Sequence, residues 1–527
     1  MLSVLSLLRT SIAMMVGGFV WVAVNNALGQ PVTVMALLPV WIAGLAGGVV
    51  CSLYSPRQGV GMAAVSGLLM ALVFLWFRHI HLALPITGGA VVALWPLWFP
   101  PAYYLGAYGY VWFLIRSERY VARDLLKLLA PGQRIFVAGS SNEPTGLLYT
   151  MAQLELPERL HFIQFPIPGL NAMDFTAWNP STELTTFFMT PTLAQADLAR
   201  VHYLPMQMRA VFDYLSDNVD VCLLQVAYDR DGVLRIGPNV DFAASVLSTA
   251  KVVIAELNTA LRAPLGCPTI DPEQIDYLFE NNRPLNPMAV PEIDDAARSI
   301  GALVADLIND GDCLQTGIGA IPAAILSELG SKSDLGLHGG LLDAGGRRLI
   351  EAGNVNGMRK AIDKGQHITG MALGDDALFD WLADQPAVIF YGADHTHEVS
   401  AIAQLQNFVS INSAVEVDMF GQVNAEYAGG RQISGTGGSV DFMRAAKASK
   451  GGRSIVAMNA TARGGTVSRI VPRVDMVTAL RTDVDIVVTE FGVAQLQNLP
   501  NRQRAAALID IAAPQFRDEL RSQMPKG

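Results

Sequence analysis

An α-helical transmembrane segment followed by a larger α/β region in two lobes is the architecture this chain predicts, and three observations predict it. Charged residues nearly vanish from Met1 to Ile115, where only Arg9, Arg57 and Arg78 occur. Beyond Gly132, short apolar runs alternate with amphipathic stretches of helical period, the pattern of parallel strands joined by helices. The stretch Arg283-Pro284-Leu285-Asn286-Pro287 then interrupts that alternation. The expected divisions are 1–116 for the membrane segment, 117–290 for the first lobe and 291–527 for the second.

Four apolar stretches, at about 10–28, 32–53, 58–77 and 82–99, each approach the roughly 20 residues that cross a bilayer. The first is not read as a signal peptide, because further spanning segments follow it and no small-residue cleavage site stands out. With four spans, Arg9, Arg57 and the cluster Arg116, Arg119, Arg123 and Lys127 fall on one side, and Arg78 on the other. That bias places both ends, and the large region, on the cytoplasmic face of an inner or cytoplasmic membrane. Residues 100–115, with several Tyr and a Trp, read as an aromatic interfacial helix or a short fifth span. Pro39, Pro85 and Pro96 are expected to kink helices, and His79 and His81 to sit in a solvated loop.

The chain has 527 residues, 51% of them hydrophobic, and a net charge of −10. An acidic balance with no basic stripe argues against nucleic-acid binding. Cys51, Cys222, Cys267 and Cys313 are widely spaced with no CxxC pair, which fits a reducing setting and suggests neither a disulfide framework nor a zinc site.

In the first lobe Arg134–Gly139 predicts a strand, and the turn Ser140-Ser141-Asn142-Glu143-Pro144 opens a helix. Asp220–Val226 and Lys251–Ala255 are apolar runs typical of buried parallel strands. Between Ile293 and Asn309 the positions Ala297, Ile300, Val304, Leu307 and Ile308 mark one helix face. Further strands are expected at Ala387–Tyr391, Ser454–Met458 and Asp485–Thr489.

The second lobe carries glycine-rich turns in sequence: Gly311–Pro322, Asp334–Asp343, Ser410–Asp418, Gly421–Glu426 and Ile433–Phe442. Glycine lets a backbone approach a ligand closely and aim successive amides at one oxygen. Gly317 and Gly319 lie in a turn leading into a helix that begins near Pro322, where free amides suit an anionic or carbonyl oxygen. The alternative reading of that turn is close packing alone.

This ordered set resembles the acetyl-CoA hydrolase/transferase family, most closely the 4-hydroxybutyrate and butyrate type of CoA-transferase. The resemblance runs from about Gly132 to about Leu520. It includes Ile254-Ala255-Glu256-Leu257-Asn258, Lys450-Gly451-Gly452-Arg453-Ser454 and Val488-Thr489-Glu490-Phe491-Gly492-Val493-Ala494. It implies two related α/β lobes with the active site between them, coenzyme A esters as substrates and, by analogy, a homodimer. In such transferases the nucleophile is a glutamate in a His-Thr-Glu-Met turn. The matching positions here read His338-Gly339-Gly340-Leu341, so the resemblance puts a glycine where the attacking carboxylate would stand.

By the same resemblance, Gly435, Gly437 and Gly438 contact the thioester arm of CoA and help build an oxyanion hole. Asn412 matches a family asparagine near the acyl group, and its amide can donate to a thioester oxygen. Glu416 and Glu490 match recurrent family acids, and Glu490 is the better candidate because it closes a predicted strand at a lobe edge. Asp343 is no clear substitute for the missing acid, and Glu351 is read as structural. Ser439 stands where many relatives carry glutamine and Ala513 where many carry histidine.

The expected catalytic set is Glu490, Asn412 and His338, with the CoA ester held by Gly317, Gly319, Gly435, Gly437 and Gly438. The expected activity is that of a membrane-anchored acyl-CoA hydrolase or CoA-transferase acting on short-chain, acetyl-CoA-like thioesters. Hydrolysis would use a water above Gly340 activated by Glu490 or His338, whereas transfer would need a displaced acid and a carboxylic acid acceptor. The competing expectation is a non-catalytic acyl-CoA sensor coupled to the membrane segment. No metal is expected, and Asp394-His395-Thr396-His397-Glu398 reads as a solvated polar loop after a strand.

Overall fold

Unbroken apolar runs such as Ile135-Phe136-Val137 and Val221-Cys222-Leu223-Leu224 suit strands covered on both faces, and such strands form the first sheet. The structure is a computed structural model that describes residues 124–289 and 291–524. The strands are β1 (Arg134–Val137), β2 (His161–Gln164), β3 (Glu183–Thr186), β4 (Val201–Tyr203), β5 (Val221–Tyr228), β6 (Leu234–Ile236), β7 (Val252–Asn258) and β8 (Tyr277–Asn281). Their order is β4-β3-β2-β1-β5-β7-β8, with β6 alongside β5. All pairs along that path are parallel, and β6 runs antiparallel. Helix α1 (Thr145–Met151) starts directly after Pro144, and α2 (Met208–Asp217) buries Met208, Val211 and Leu215.

Helix α3 (Asp295–Ala305) introduces the second lobe. The Asp294 carboxylate accepts from the Ala297 amide at 2.8 Å and caps its first turn. Ala297, Ile300 and Val304 are buried on the face their spacing predicts, while Leu307 and Ile308 fall beyond the helix end. The second sheet contains β9 (Cys313–Gln315), β10 (Gly336–Leu337), β11 (Phe408–Asn412), β12 (Arg453–Ala457), β13 (Ile486–Thr489) and β14 (Gly492–Gln495). Its order is β10-β9-β11-β12-β13-β14. The strands are parallel except for the final β13–β14 hairpin. Helices α4 (Ala320–Glu328), α5 (Ser439–Ala448) and α6 (Asn501–Asp510) complete this lobe. The expected strand at Ala387–Tyr391 shortens to Val388–Phe390, which pairs with His367–Thr369 outside both main sheets.

The proline-rich crossing between the sheets is fastened at several points. Arg283 donates to Glu256 Oε1 at 2.7 Å, to the Glu143 carbonyl at 2.7 Å and to Gln225 Oε1 at 3.1 Å. Five residues on, the Met288 amide donates to the Gly374 carbonyl of the second lobe at 3.0 Å. One apolar core runs through both lobes, from Phe136 and Leu224 through Ile300 and Leu314 to Ile455 and Val488. The expected membrane segment 1–116, with its arginines, prolines and histidines, lies outside the described residues. Among the described residues no helix is long and apolar enough to cross a membrane.

Candidate active site

The C-terminal ends of β1, β9 and β11 open onto one cavity of about 290 Å³, the position that parallel sheets favour for ligands. The first lobe contributes a largely apolar wall of Phe136, Phe165, Phe188, Met208 and Phe242, interrupted by Asn142, Asn239 and Asp241, and the second contributes Gln315, Thr316, Asn412 and Ser413.

Most of the sequence-predicted glycines converge here. Gly317, Gly435, Gly437 and Gly438 line the cavity. A β-carbon at Gly317 or Gly437 would meet nothing within 4 Å, so both leave open space beside the backbone. Gly319 stands just behind the lining as the N-cap of α4, with φ of +113°, a conformation open to glycine but strained for other residues. The loop bearing Gly435 is drawn against the first lobe. The Met189 amide donates to Ser434 O at 3.2 Å, the Thr436 hydroxyl donates to Met206 O, and a β-carbon at 435 would strike the Phe187 carbonyl. Gly438 is the N-cap of α5, so first-turn amides of that helix have no intrahelical partner and are free to face an anionic oxygen.

Asn412 lines the same cavity, held by a reciprocal pair with Gln315: Nδ2 donates to Oε1 at 3.2 Å, and Gln315 Nε2 donates to Oδ1 at 3.4 Å. That pairing engages one of the two amide protons of Asn412 and leaves the other for a substrate oxygen.

The structure does not bring His338 or Glu490 to the cavity lining. His338 is fully buried and edge-on to Phe408, with its Nδ1 3.9 Å from Asp363 Oδ2. Burial, reinforced by the nearby Lys360 ammonium, holds its pKa well below the ordinary imidazole range. Glu490 sits in the tight turn where β13 folds back into β14, and its Oε2 accepts from the Ala460 amide at 2.7 Å. Glu416 pairs with Asn424 at 3.4 Å and is likewise outside the lining; partial burial raises its pKa. Asp343 caps the helix Ala344–Glu351 through the Gly346 amide at 2.9 Å, and Glu351 pairs with Arg347 at 3.2 Å on the surface.

Two cavity residues escape sequence reasoning. Asp241, only 3% exposed, is the one carboxylic acid in the lining. Its Oδ1 has no hydrogen-bond partner, and burial pushes its pKa up to about 8. No local pattern around Pro238-Asn239-Val240 announces it. His397 is the second. The expected solvated loop is in fact a short helix, Ala393–Thr396, followed by a His397 that is 3% exposed and lines the cavity. Burial holds its pKa down to about 3.

The other members of that segment face away from the lining. His395 Nε2 lies 3.0 Å from Asp363 Oδ2, and Glu398 pairs with Arg209 at 3.0 Å. His338, Asp363 and His395 bring one ligand-type atom each within 4.8 Å of one another. Asp363 is already engaged by His395, and none of the three lines the cavity.

Comparison with known proteins agrees with this architecture. The acetyl-CoA hydrolase/transferase C-terminal domain family matches residues 374–524. The 4-hydroxybutyrate coenzyme A transferase of Clostridium kluyveri is 42% identical over 312 residues, which cover 58% of this chain and 73% of that protein. The crystal structure of RipA from Yersinia pestis superposes with a TM-score of 0.71 at 31% identity, covering 77% of this chain and 98% of the other. A 4-hydroxybutyrate CoA-transferase from Porphyromonas gingivalis superposes with a TM-score of 0.64 at 31% identity, over 76% of this chain and 96% of that one.

Proposed function

This chain belongs to the acetyl-CoA hydrolase/transferase family, and from that membership we propose that it is a membrane-anchored enzyme acting on short-chain acyl-CoA thioesters, hydrolysis being its favoured reaction. The observation that carries the reading is the convergence of the Gly317 turn, the Gly435–Gly438 loop and Asn412 on one cavity with an apolar opposite wall. A thioester needs donors for the oxyanion formed at its carbonyl and a dry place for its acyl group. Asn412 and the first amides of α5 suit the oxygen, and the phenylalanines of the first lobe suit the acyl chain.

Hydrolysis is favoured over CoA transfer because position 340, which matches the attacking glutamate of transferases, is glycine. No carboxylate can be esterified there. Asp241 is the acid within the cavity that could serve a displaced transfer reaction, and its buried, protonated state opposes that use at neutral pH. The near absence of charge over 1–115 supports anchoring by the membrane segment, with the catalytic region in the cytoplasm. A homodimer is proposed by analogy alone.

The deciding experiment incubates the purified full chain with acetyl-CoA and butyryl-CoA, with and without acetate, and follows free thiol and acyl exchange. Thiol release independent of acetate is the expected result. Exchange that requires acetate would establish transfer instead, and saturable binding without either reaction would leave the acyl-CoA sensor.

A further inference from the structure

Position 340 is not simply vacant. A β-carbon placed there would lie 2.9 Å from Cε1 and 3.1 Å from Nε2 of His397, and one placed on Gly438 would strike the same imidazole. The ring thus passes between two glycines that alone leave room for it. Its other face lies against Phe442, with centroids 4.5 Å apart. An imidazole fixed on both sides at the rim of a substrate cavity has few orientations to lose when it reacts.

The tautomer follows from the neighbouring hydroxyl. Thr396 Oγ1 donates its proton to the Gly392 carbonyl at 3.1 Å, and the same oxygen stands 2.8 Å from His397 Nδ1. With the hydroxyl proton on that carbonyl, the oxygen turns its lone pairs to Nδ1, and this is the arrangement in which Nδ1 carries the hydrogen of the bond. Nε2 is left as the unprotonated nitrogen, on the side where the β-carbons of residues 340 and 438 would have been.

We infer that His397 is the general base of acyl-CoA hydrolysis in this chain, its Nε2 occupying the space into which a side chain at position 340 would project. The inference rests on the acyl-CoA reading above. In the forward step a water oxygen attacks the thioester carbonyl carbon while Nε2 takes one of its protons. The tetrahedral oxyanion faces Asn412 and the first amides of α5. Its collapse breaks the C–S bond, and the departing thiolate takes the proton from Nε2–H, giving coenzyme A and the free acid with the imidazole neutral again. Thr396 acts as a positioning residue, through the Nδ1 hydrogen bond alone. Burial keeps the imidazole neutral at rest, and the oxyanion that forms beside it is the charge that would favour the imidazolium while Nε2 holds the proton.

The test compares the full-length wild type with His397→Gln, His397→Gly and Thr396→Val, using acetyl-CoA and butyryl-CoA for turnover and coenzyme A itself for binding. His397→Gln should lower kcat about 10²–10⁴-fold, the usual contribution of a positioned base, with CoA affinity retained. His397→Gly should regain at least about tenfold of its lost rate on addition of free imidazole, a rescue that a purely structural histidine would not give. Thr396→Val should lower kcat less than His397→Gln does, with KM unchanged. A wild type that hydrolyses acyl-CoA while His397→Gln and His397→Gly keep its rate overturns the inference and leaves the acyl-CoA reading intact. Loss of activity in both variants with no imidazole rescue from the folded His397→Gly chain also overturns it. A wild type that neither binds CoA nor releases thiol overturns both.

Discussion

Glu256 and Arg283 form an ion pair with Nε and Oε1 2.7 Å apart, and the glutamate side chain is entirely shut off from solvent. Its second oxygen accepts from the Leu147 amide at 2.7 Å, so the carboxylate joins β7, the start of α1 and the crossing between the lobes. Removing one partner of a buried pair leaves an uncompensated charge, which costs about 3–5 kcal/mol. Arg283→Met is therefore expected to destabilise the chain by about that amount. Glu256→Gln, which keeps an acceptor for Leu147, should cost less. Denaturant unfolding of the full chain measures both.

Asp241 predicts a pH dependence of stability. Its folded pKa is raised from 3.8 to about 8 by burial. Between those values the folded chain keeps a proton that the unfolded chain releases, so stability falls as pH rises through that window. Asp241→Asn should flatten the dependence and raise the unfolding midpoint at pH 8 relative to wild type. A midpoint difference that stays constant from pH 5 to pH 8 would show that Asp241 does not hold its proton.

Glu490 gives a prediction in the opposite sense to its expected catalytic role. Its carboxylate serves the Ala460 amide, and loss of that acceptor should cost about 1–3 kcal/mol of stability. Turnover per folded molecule should remain near wild type in Glu490→Ala. A collapse of kcat with unchanged stability would restore Glu490 to the catalytic set.

Restoring a carboxylate at position 340 should require a second change. A side chain there must displace the His397 ring, and overpacking of a filled site costs about 1–3 kcal/mol. Gly340→Glu alone is expected to yield no covalent enzyme–CoA adduct. Gly340→Glu with His397→Ala should form one with butyryl-CoA, seen by intact-mass spectrometry as the mass of bound CoA less water. An adduct of equal yield in the single variant would mean that the imidazole is no obstacle.

The proposed anchor is tested by fractionation. The full chain should pellet with membranes and resist alkaline carbonate extraction, whereas a chain beginning at residue 117 should partition to the supernatant. Recovery of the full chain in the soluble fraction would remove the membrane from the proposal.

Local signals carried much of this outcome. The unbroken apolar runs marked β1, β5 and β7, the spacing of Ala297, Ile300 and Val304 marked α3, and the glycines marked the loops that bear on the cavity. Glu490 lies outside the cavity lining because its strand, whose parallel end is a good place for an active site, returns at once as a hairpin. Gly492, with φ of +145°, is the turn residue that could have signalled it. Asp241 and His397 were invisible for a different reason. Residues 241, 340, 397 and 438 meet only through crossings far apart in the chain, and no period or motif encodes that meeting. The polar character of Asp394–Glu398 suggested solvent, yet its outward members are satisfied by Asp363 and Arg209, which lets His397 turn inward.

The short loop from Ser434 to Thr436, tied by its backbone and a hydroxyl to Met189 and Met206, makes the chamber a joint property of both halves of the enzyme. Cutting the polypeptide within the Pro284–Pro287 crossing would yield one fragment with the phenylalanine recess but neither Asn412 nor the Gly435–Gly438 loop, and another with those donors but without that recess. Neither piece should capture a thioester until the two are mixed, so recovery of function would depend on the concentration of both.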